Sequence, residues 1–497
     1  MKKLLALLLA GLMCTSVLVG CGNDDKKPSQ TTGSNTGVNE EVDEDIAKVD
    51  SYLADLAAQH DLNGATFSYV NGCSQNAEDE EETGNIENDA LYKRQRELEE
   101  VLGIDWDSVT PDVEEGSQVA GTVEYVRTAV MAGTKAYDLL GGTLVVTIQP
   151  LFNEDCLENV NEFSVLDLSA DWWPSTLSDT HSIMGQLYFL TGPVMTTYYT
   201  DASALLVNKN VVDNYNIEIP YDSVRDGSWT FDKMFEIASA VPANTSGAGQ
   251  YRYGNPEGMA ILFANGMTMT KFDEDGVPYV DNPLPAALSD LASRFSAVMG
   301  DGTQTAALYS GEAADEKYGT ESLEQMFVDG NILFYFDATS RAVALRENDV
   351  AFGILPIPKG SASQSQYYSY ASNWSAYFCA VPRCTRDLEV TDVVLEALAA
   401  VSYKYIKPAY YDKLLKGRST HDPESRDMLD IIFETKIYDI IDIYAKGDIN
   451  QSGEFIRAIE KAIEQDASSL ASSYAGNVAV SNMTIKKIVK MLEKHQG

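Results

Sequence analysis

Apolar positions along the chain fall into three patterns: one unbroken run at residues 4–19, short β-type runs from residue 65 onward, and helical spacing that dominates the last hundred residues. Ala65-Thr66-Phe67-Ser68-Tyr69-Val70 has strand composition. In the segment 89–103, Leu91, Leu98, Val101 and Leu102 share one helical face, with Asp89 suited to cap the start and Gly103 the end. A second helix is predicted over 123–131, and Thr143-Leu144-Val145-Val146-Thr147-Ile148 reads as a strand buried on both faces. Further on, Ala204-Leu205-Leu206-Val207 is a strand and Asn208-Lys209 begins a helix. Thr230 caps another helix, where Trp229 can staple onto Met234. Residues 272–280 predict a β-hairpin, a helix ends near Asp329-Gly330, and strands follow over 331–336 and 373–382, with the segment Phe352-Gly353-Ile354-Leu355-Pro356-Ile357-Pro358 between them. From Thr391 the pattern is almost wholly helical, with amphipathic runs at 456–469 and 485–492. Strands alternating with helices in this way predict an α/β sheet.

The first apolar run has a different purpose. Lys2 and Lys3 precede it, and it closes on Leu18-Val19-Gly20-Cys21 before a polar stretch. A short apolar segment behind basic residues, ending in a small residue before cysteine, reads as a signal peptide with a lipobox. Residues 1–20 are then the leader, and residues 21–45 are a lipidated Cys21 followed by a disordered tether, too poor in apolar residues to repay the entropy of ordering. A retained membrane helix is disfavoured because a span wants about 18 or more apolar residues. Cys14 is a poor rival to Cys21, since Met13 precedes it. The mature chain is expected on the extracellular face of the cell membrane, held by acyl chains such as palmitate.

Charge narrows the partners. Lys and Arg number 36 against 75 Asp and Glu, for a net −39, and removal of Lys2 and Lys3 with the leader makes it −41. Such a chain repels phosphate backbones and anionic headgroups, so nucleic acid is excluded as a partner. The acidic run 76–88 reads as a solvated loop rather than a cation site. Cys73, Cys156, Cys379 and Cys384 are too few for a disulfide framework. Cys379 and Cys384 are close enough to pair if their strand bends, and an unpaired buried state is equally compatible. No two of the four histidines share metal-ligand spacing. The hairpin at 272–280 is no EF-hand, because Lys271 would occupy the first ligand position. No Gly-x-Ser-x-Gly, Walker, Gly-x-Gly-x-x-Gly, His-Glu-x-x-His or Cys-x-x-Cys motif is present.

Taken together, the lipobox, Asp89-Ala90-Leu91-Tyr92-Lys93-Arg94, Trp172-Trp173, Gly185-Gln186-Leu187-Tyr188, Asn208-Lys209, Gly227-Ser228-Trp229-Thr230, Phe327-x-x-Gly330 and Gly353-Ile354-Leu355-Pro356-x-Pro358 resemble the extracellular solute-binding proteins of ABC importers. The nearest branch is family 1, the carbohydrate-associated branch that includes maltose-binding protein. The resemblance implies a two-lobed α/β fold of the periplasmic-binding-protein type II, its lobes joined by crossing segments and its C-terminal region helical. Lobe 1 would comprise residues 46–197 plus about 373–430, and lobe 2 residues 198–372 plus about 431–497. It implies a monomer that needs no cofactor or metal and is no enzyme. Such a protein captures a carbohydrate and passes it to the permease subunits of the transporter.

The same resemblance puts Tyr198, Tyr199 and Asp201 on the first crossing, the stretch from Tyr367 to Trp374 on the second, and Asp337 and Arg341 beyond a strand end facing the cleft. Aromatic faces cover the C–H face of a pyranose while carboxylate, amide and guanidinium groups take its hydroxyls. Trp172, Tyr198, Tyr199, Trp374 and Tyr377 are therefore candidates for stacking, and Asp201, Asp337, Arg341 and Asn373 for bonding. For each aromatic a place in the core competes evenly with ligand contact. Three other readings compete: the same fold binding a peptide, amino sugar or other polar solute, a secreted carbohydrate-active lipoprotein hydrolase built on an unrecognised carboxylate pair, and a surface adhesin.

Overall fold

The computed structural model describes residues 37–62, 64–72, 81–111, 118–177, 181–245, 249–306, 322–345, 348, 350–372, 376–415, 423–444, 453–464 and 466–495. The leader, Cys21 and Cys73 lie outside the described residues. No helix among the described residues is long and apolar enough to cross a membrane.

Two sheets organise the chain. The first runs in the order β12-β3-β1-β2, from β1 (Thr66–Asn71), β2 (Asp105–Val109), β3 (Leu139–Thr143) and β12 (Tyr377–Ala380). Strand β1 is parallel to both neighbours, and β12 returns antiparallel to β3. The second has the order β10-β4-β9-β5-β8, from β4 (Ser203–Asn208), β5 (Tyr251–Gly254), β8 (Thr305–Ala306), β9 (Ile332–Ala338) and β10 (Phe352–Leu355). Here β5 is parallel to β8 and β9, whereas β4 opposes β9. Residues of β3 and β4 are buried without alternation, as strands covered on both faces must be. A hairpin of β6 (Thr270–Phe272) and β7 (Pro278–Val280) forms where the sequence predicts it. The molecule is thus an α/β protein of two lobes.

The helix Ile86–Leu102 packs on the long helix Leu388–Leu415 beside the first sheet. Gly103 closes the former in the left-handed region, as expected, but the cap is Asn85, whose side chain accepts from Glu87 and Asn88 N–H. Asp89 instead accepts from the backbone of Thr83 and Gly84, bracing the turn before the helix. On the second lobe, Thr230 caps Phe231–Ala238 as predicted, and helix Gly453–Glu464 packs against Gly258–Ala264, Ala286–Met299 and Leu470–Leu492.

Two further expectations are corrected. The stretch 144–148 is not a strand: β3 ends at Thr143 and Leu144–Ile148 forms a π-helical turn that leads into the helix Gln149–Asn153. The reason lies in the glycines before it, since a Cβ at Gly142 would sit 2.6 Å from the Thr147 side chain that folds back over it. The helix Gly37–Gln59 begins inside the stretch expected to be a tether; Val42, Ile46, Val49 and Leu53 recur at helical spacing. The C-terminal region is almost wholly helical, as expected, with one short exception. Lys436–Ile437 forms β13, which pairs in parallel with β11 (Ser369–Tyr370). Cys156, Cys379 and Cys384 are buried free thiols, so Cys379 and Cys384 are not bonded.

Candidate functional site

The chain passes from the first sheet to the second just before β4 and returns through β11 just before β12. The two passages are bonded side by side: Ala202 bridges Ala371, Tyr370 N–H donates to Ser203 Oγ at 2.9 Å, and Ser369 Oγ–H donates to the Ser203 carbonyl at 3.1 Å. Next to this seam lies a cavity of about 540 Å³. Its walls are Thr197, Thr200 and Asp201 from the first passage, Ser372 and Tyr377 from the second, Asn255 and Glu257 beyond β5, and Asp337, Ala338 and Ser340 at the end of β9. Because β5 and β9 are parallel, their carboxyl ends open together onto this space, the usual ligand position in an open α/β sheet.

Each wall is fixed by backbone bonds. Thr200 and Ala202 accept from the N–H groups of Ser340 and Thr339, both at 2.8 Å, which ties the first passage to the residues after β9. Asn255 holds a left-handed φ of 48°; its N–H donates to the Ala306 carbonyl at 2.8 Å and its side-chain amide to the Phe336 carbonyl at 3.3 Å.

Asp201 is the most confined carboxylate of the cavity, at 4 % exposure. Lys436 Nζ donates to Asp201 Oδ1 and, at 2.7 Å, to the Tyr198 carbonyl, and it stands 3.9 Å from the centre of the Tyr198 ring. Burial raises the Asp201 carboxyl above its ordinary range and lowers the Lys436 ammonium below its own, each effect opposed by the charge of the other. Among the described residues Asp201 Oδ2 and Thr197 Oγ1 have no hydrogen-bond partner. Asp337 accepts from Arg341 Nε at 2.8 Å, and Arg341 also donates to Glu324.

Of the residues singled out from the sequence, Asp201, Asp337 and Tyr377 come together around the cavity, and Arg341 stands behind Asp337. Trp172 is not among the walls: it is 4 % exposed in the first lobe's core, and its indole N–H donates to Glu396 at 2.7 Å. Tyr198 and Tyr199 point into an aromatic cluster instead. The Tyr198 hydroxyl donates to the Phe433 carbonyl at 2.8 Å, and Tyr199 stacks on Tyr410 at 5.8 Å. Asn373 and Trp374 lie outside the described residues. Thr197, Thr200, Asn255, Glu257, Ser340 and Ser372 were not singled out. For Asn255, Glu257 and Ser340 a signal existed in their place just past strand ends.

A second cavity of about 320 Å³ is lined by Ala65, Thr66, Asp138, Arg386, Asp387 and Val390, at the opposite end of β1. Its arginine is committed to Asp138 at 2.9 Å and to Ser68 at 2.5 Å. No group of three or more potential metal-ligating side chains occurs among the described residues.

Two α/β lobes with a polar cavity at their junction, beyond the carboxyl ends of one sheet, have the architecture of a solute-binding protein. Residues 109–382, more than half of the chain, match the sequence model of the bacterial extracellular solute-binding proteins, and the chain belongs to this family. Among solved structures, a sugar transporter from Rhizobium etli in an open conformation is similar, with a TM-score of 0.52 and 13% identity over 86% of this chain and 99% of that one. A cyclo/maltodextrin-binding protein complexed with maltotetraose gives a TM-score of 0.51 and 13% identity, over 87% and 97% of the two chains. Both are similar in fold. None of the curated proteins matches the chain.

Proposed function

We propose that this protein is a lipid-anchored extracellular receptor that captures a sugar or oligosaccharide between its lobes and delivers it to the permease of an ABC importer. The observation that carries this reading is the cavity of about 540 Å³ walled by hydroxyl, amide and carboxylate side chains from both passages between the lobes and from the ends of β5 and β9. Its size falls within the usual range of small-molecule sites. Such a lining offers what a polyol needs, namely acceptors for its hydroxyl protons and hydroxyl donors for its oxygens.

In this reading Asp201, Asp337 and Tyr377 contact the ligand, joined by Asn373 and Trp374 from the adjoining stretch, with Trp374 as the stacking face. Arg341 acts through Asp337. Lobe 1 is residues 46–197 plus about 373–430 and lobe 2 is residues 198–372 plus about 431–497, and they close on the ligand about the paired crossings. Cys21 carries the acyl anchor, and the bound sugar leaves unaltered, because the protein is no enzyme.

The test is a thermal-shift screen of the chain from residue 22 against mono- and oligosaccharides, with amino acids and peptides as controls. A saccharide at about 100 times its Kd stabilises by roughly 2.7 kcal/mol. The reading predicts that one glycan class raises Tm and is recovered unchanged. Stabilisation by a control solute alone, or turnover of the glycan, contradicts it.

A further inference from the structure

The chain carries 75 acidic residues, yet the helix Leu470–Leu492 holds none in its 23 residues. Its buried side is mostly apolar, with Tyr474, Val478, Ile485, Ile488 and Leu492 turned toward the second lobe. Its outer side is basic. At about 100° per residue, Met483, Lys486, Lys487 and Lys490 fall within about 100° of arc, pointing away from Ile485, Ile488 and Leu492. Lys494 follows in the turn after the helix. All five are exposed, Met483 by 58 %. Among the described residues none of the four lysines makes an ion pair or a hydrogen bond. Lys48, Lys93, Lys233, Lys271, Arg127 and Arg225, by contrast, are each paired with a carboxylate. The acids of the neighbouring hairpin are engaged as well: Asp281 with Lys271, and Asp273 with the backbone N–H groups of Asp275 and Val277. Glu493 stands at the edge of the lysine face.

We propose that this lysine face is a docking surface for an anionic phospholipid bilayer, the partner that an acyl anchor on Cys21 brings within reach. This rests on the anchor proposed above and adds the face by which the folded part meets the membrane. The chain as a whole, at −39, is repelled by such a surface. At physiological ionic strength, however, charges beyond about 8 Å are largely screened, so a helix lying on the headgroups meets them chiefly through the residues that touch. From Lys486 to Lys494 those are four unpaired ammonium groups within about 12 Å of helix, and they set the sign of the contact as polybasic segments beside membranes do. Lysine keeps its charge in water on a long apolar stem, so the contact requires no buried charge. Met483 adds an apolar tip suited to the headgroup boundary. Because the anchor already holds the molecule near the bilayer, even a weak contact of this kind is strengthened by tethering, and it gives the folded part a preferred orientation.

The test is co-sedimentation of the unacylated chain from residue 22 with vesicles of phosphatidylcholine alone and of phosphatidylcholine and phosphatidylglycerol in equal parts. Binding should be confined to the anionic vesicles and should weaken as salt is raised. Lys486→Gln, Lys487→Gln, Lys490→Gln and Lys494→Gln together should weaken it by about tenfold or more, with Tm as the check on folding. Glutamine at Lys48, Lys93, Lys135 and Lys233 lowers the net charge equally and should leave binding largely unchanged. Equal binding to both kinds of vesicle, no binding to the anionic ones, or equal losses in the two quadruple variants overturns the lysine face while leaving the receptor reading intact. Membrane retention of the full chain with and without Cys21→Ala reports on the anchor separately, and retention unaffected by that change overturns the anchor and with it the premise of this docking.

Discussion

Glu396 is wholly buried, yet it is bonded on every side. Its carboxylate accepts from the indole N–H of Trp172 at 2.7 Å and of Trp173 at 2.9 Å, from the Asp167 backbone at 3.2 Å and from the Tyr52 hydroxyl at 3.3 Å. Replacing it by leucine leaves two buried indole donors unsatisfied, so Glu396→Leu should cost about 2–5 kcal/mol in denaturant unfolding. Trp172→Phe, which deletes one donor along with its partner bond, should cost less. If Trp172 were a ligand-stacking residue, its replacement would change binding more than stability. His181 is a second buried titratable group: its pKa is lowered to about 3 by burial, opposed by a bond to the Leu177 carbonyl. The unfolded chain binds this proton near pH 6.5, so between pH 6.5 and 3 the unfolded state holds more protons and stability falls with falling pH. The slope from this one group approaches about 1.4 kcal/mol per pH unit. Equilibrium unfolding across pH 4.5–7.5 should therefore show a shallower loss in His181→Phe than in the unaltered protein, and parallel curves would refute the assignment.

At the scale of elements, the first sheet depends on two glycines. A Cβ at Gly141 would lie 2.1 Å from the Tyr69 hydroxyl across the β1–β3 pair. Gly141→Ala should then destabilise by about 1–3 kcal/mol, and Tyr69→Phe in the same chain should recover part of that loss; no recovery would mean that backbone freedom, not the clash, requires glycine. Such packing also explains what the sequence concealed. The hairpin, the Thr230 cap, and the strands at 66–71 and 203–208 are legible because local spacing and turn chemistry decide them. The π-helical turn at 144–148 is not, since its apolar, β-branched composition favours a strand and only the fold-back of Thr147 onto Gly142 turns it. Strand β13 is equally hidden: two residues carry no periodicity, and their strand character comes from pairing with β11 far away in the chain. The site was half legible for a similar reason. Asp201 and Asp337 stand beside recognisable strands, whereas Trp172 looks like a sugar platform until Glu396 is seen to hold its indole.

For the whole molecule, Lys436 holds together parts that the chain separates widely. It sits on β13, beside the second crossing, and reaches the first crossing at Asp201 and Tyr198. Lys436→Met strands a buried carboxylate and should cost about 3–5 kcal/mol, whereas Lys436→Met combined with Asp201→Asn should cost less than the single change. An additive double variant would show that the pair is not coupled. The central claim is that a saccharide is held at this seam between the two lobes, and hydrogen–deuterium exchange with and without a stabilising saccharide tests it most directly. The account predicts slowed exchange in the segments 197–201, 253–257, 337–341 and 369–377, which wall the cavity and form the crossings. Slowed exchange confined to another part of the molecule, with binding heat still measured, would contradict it.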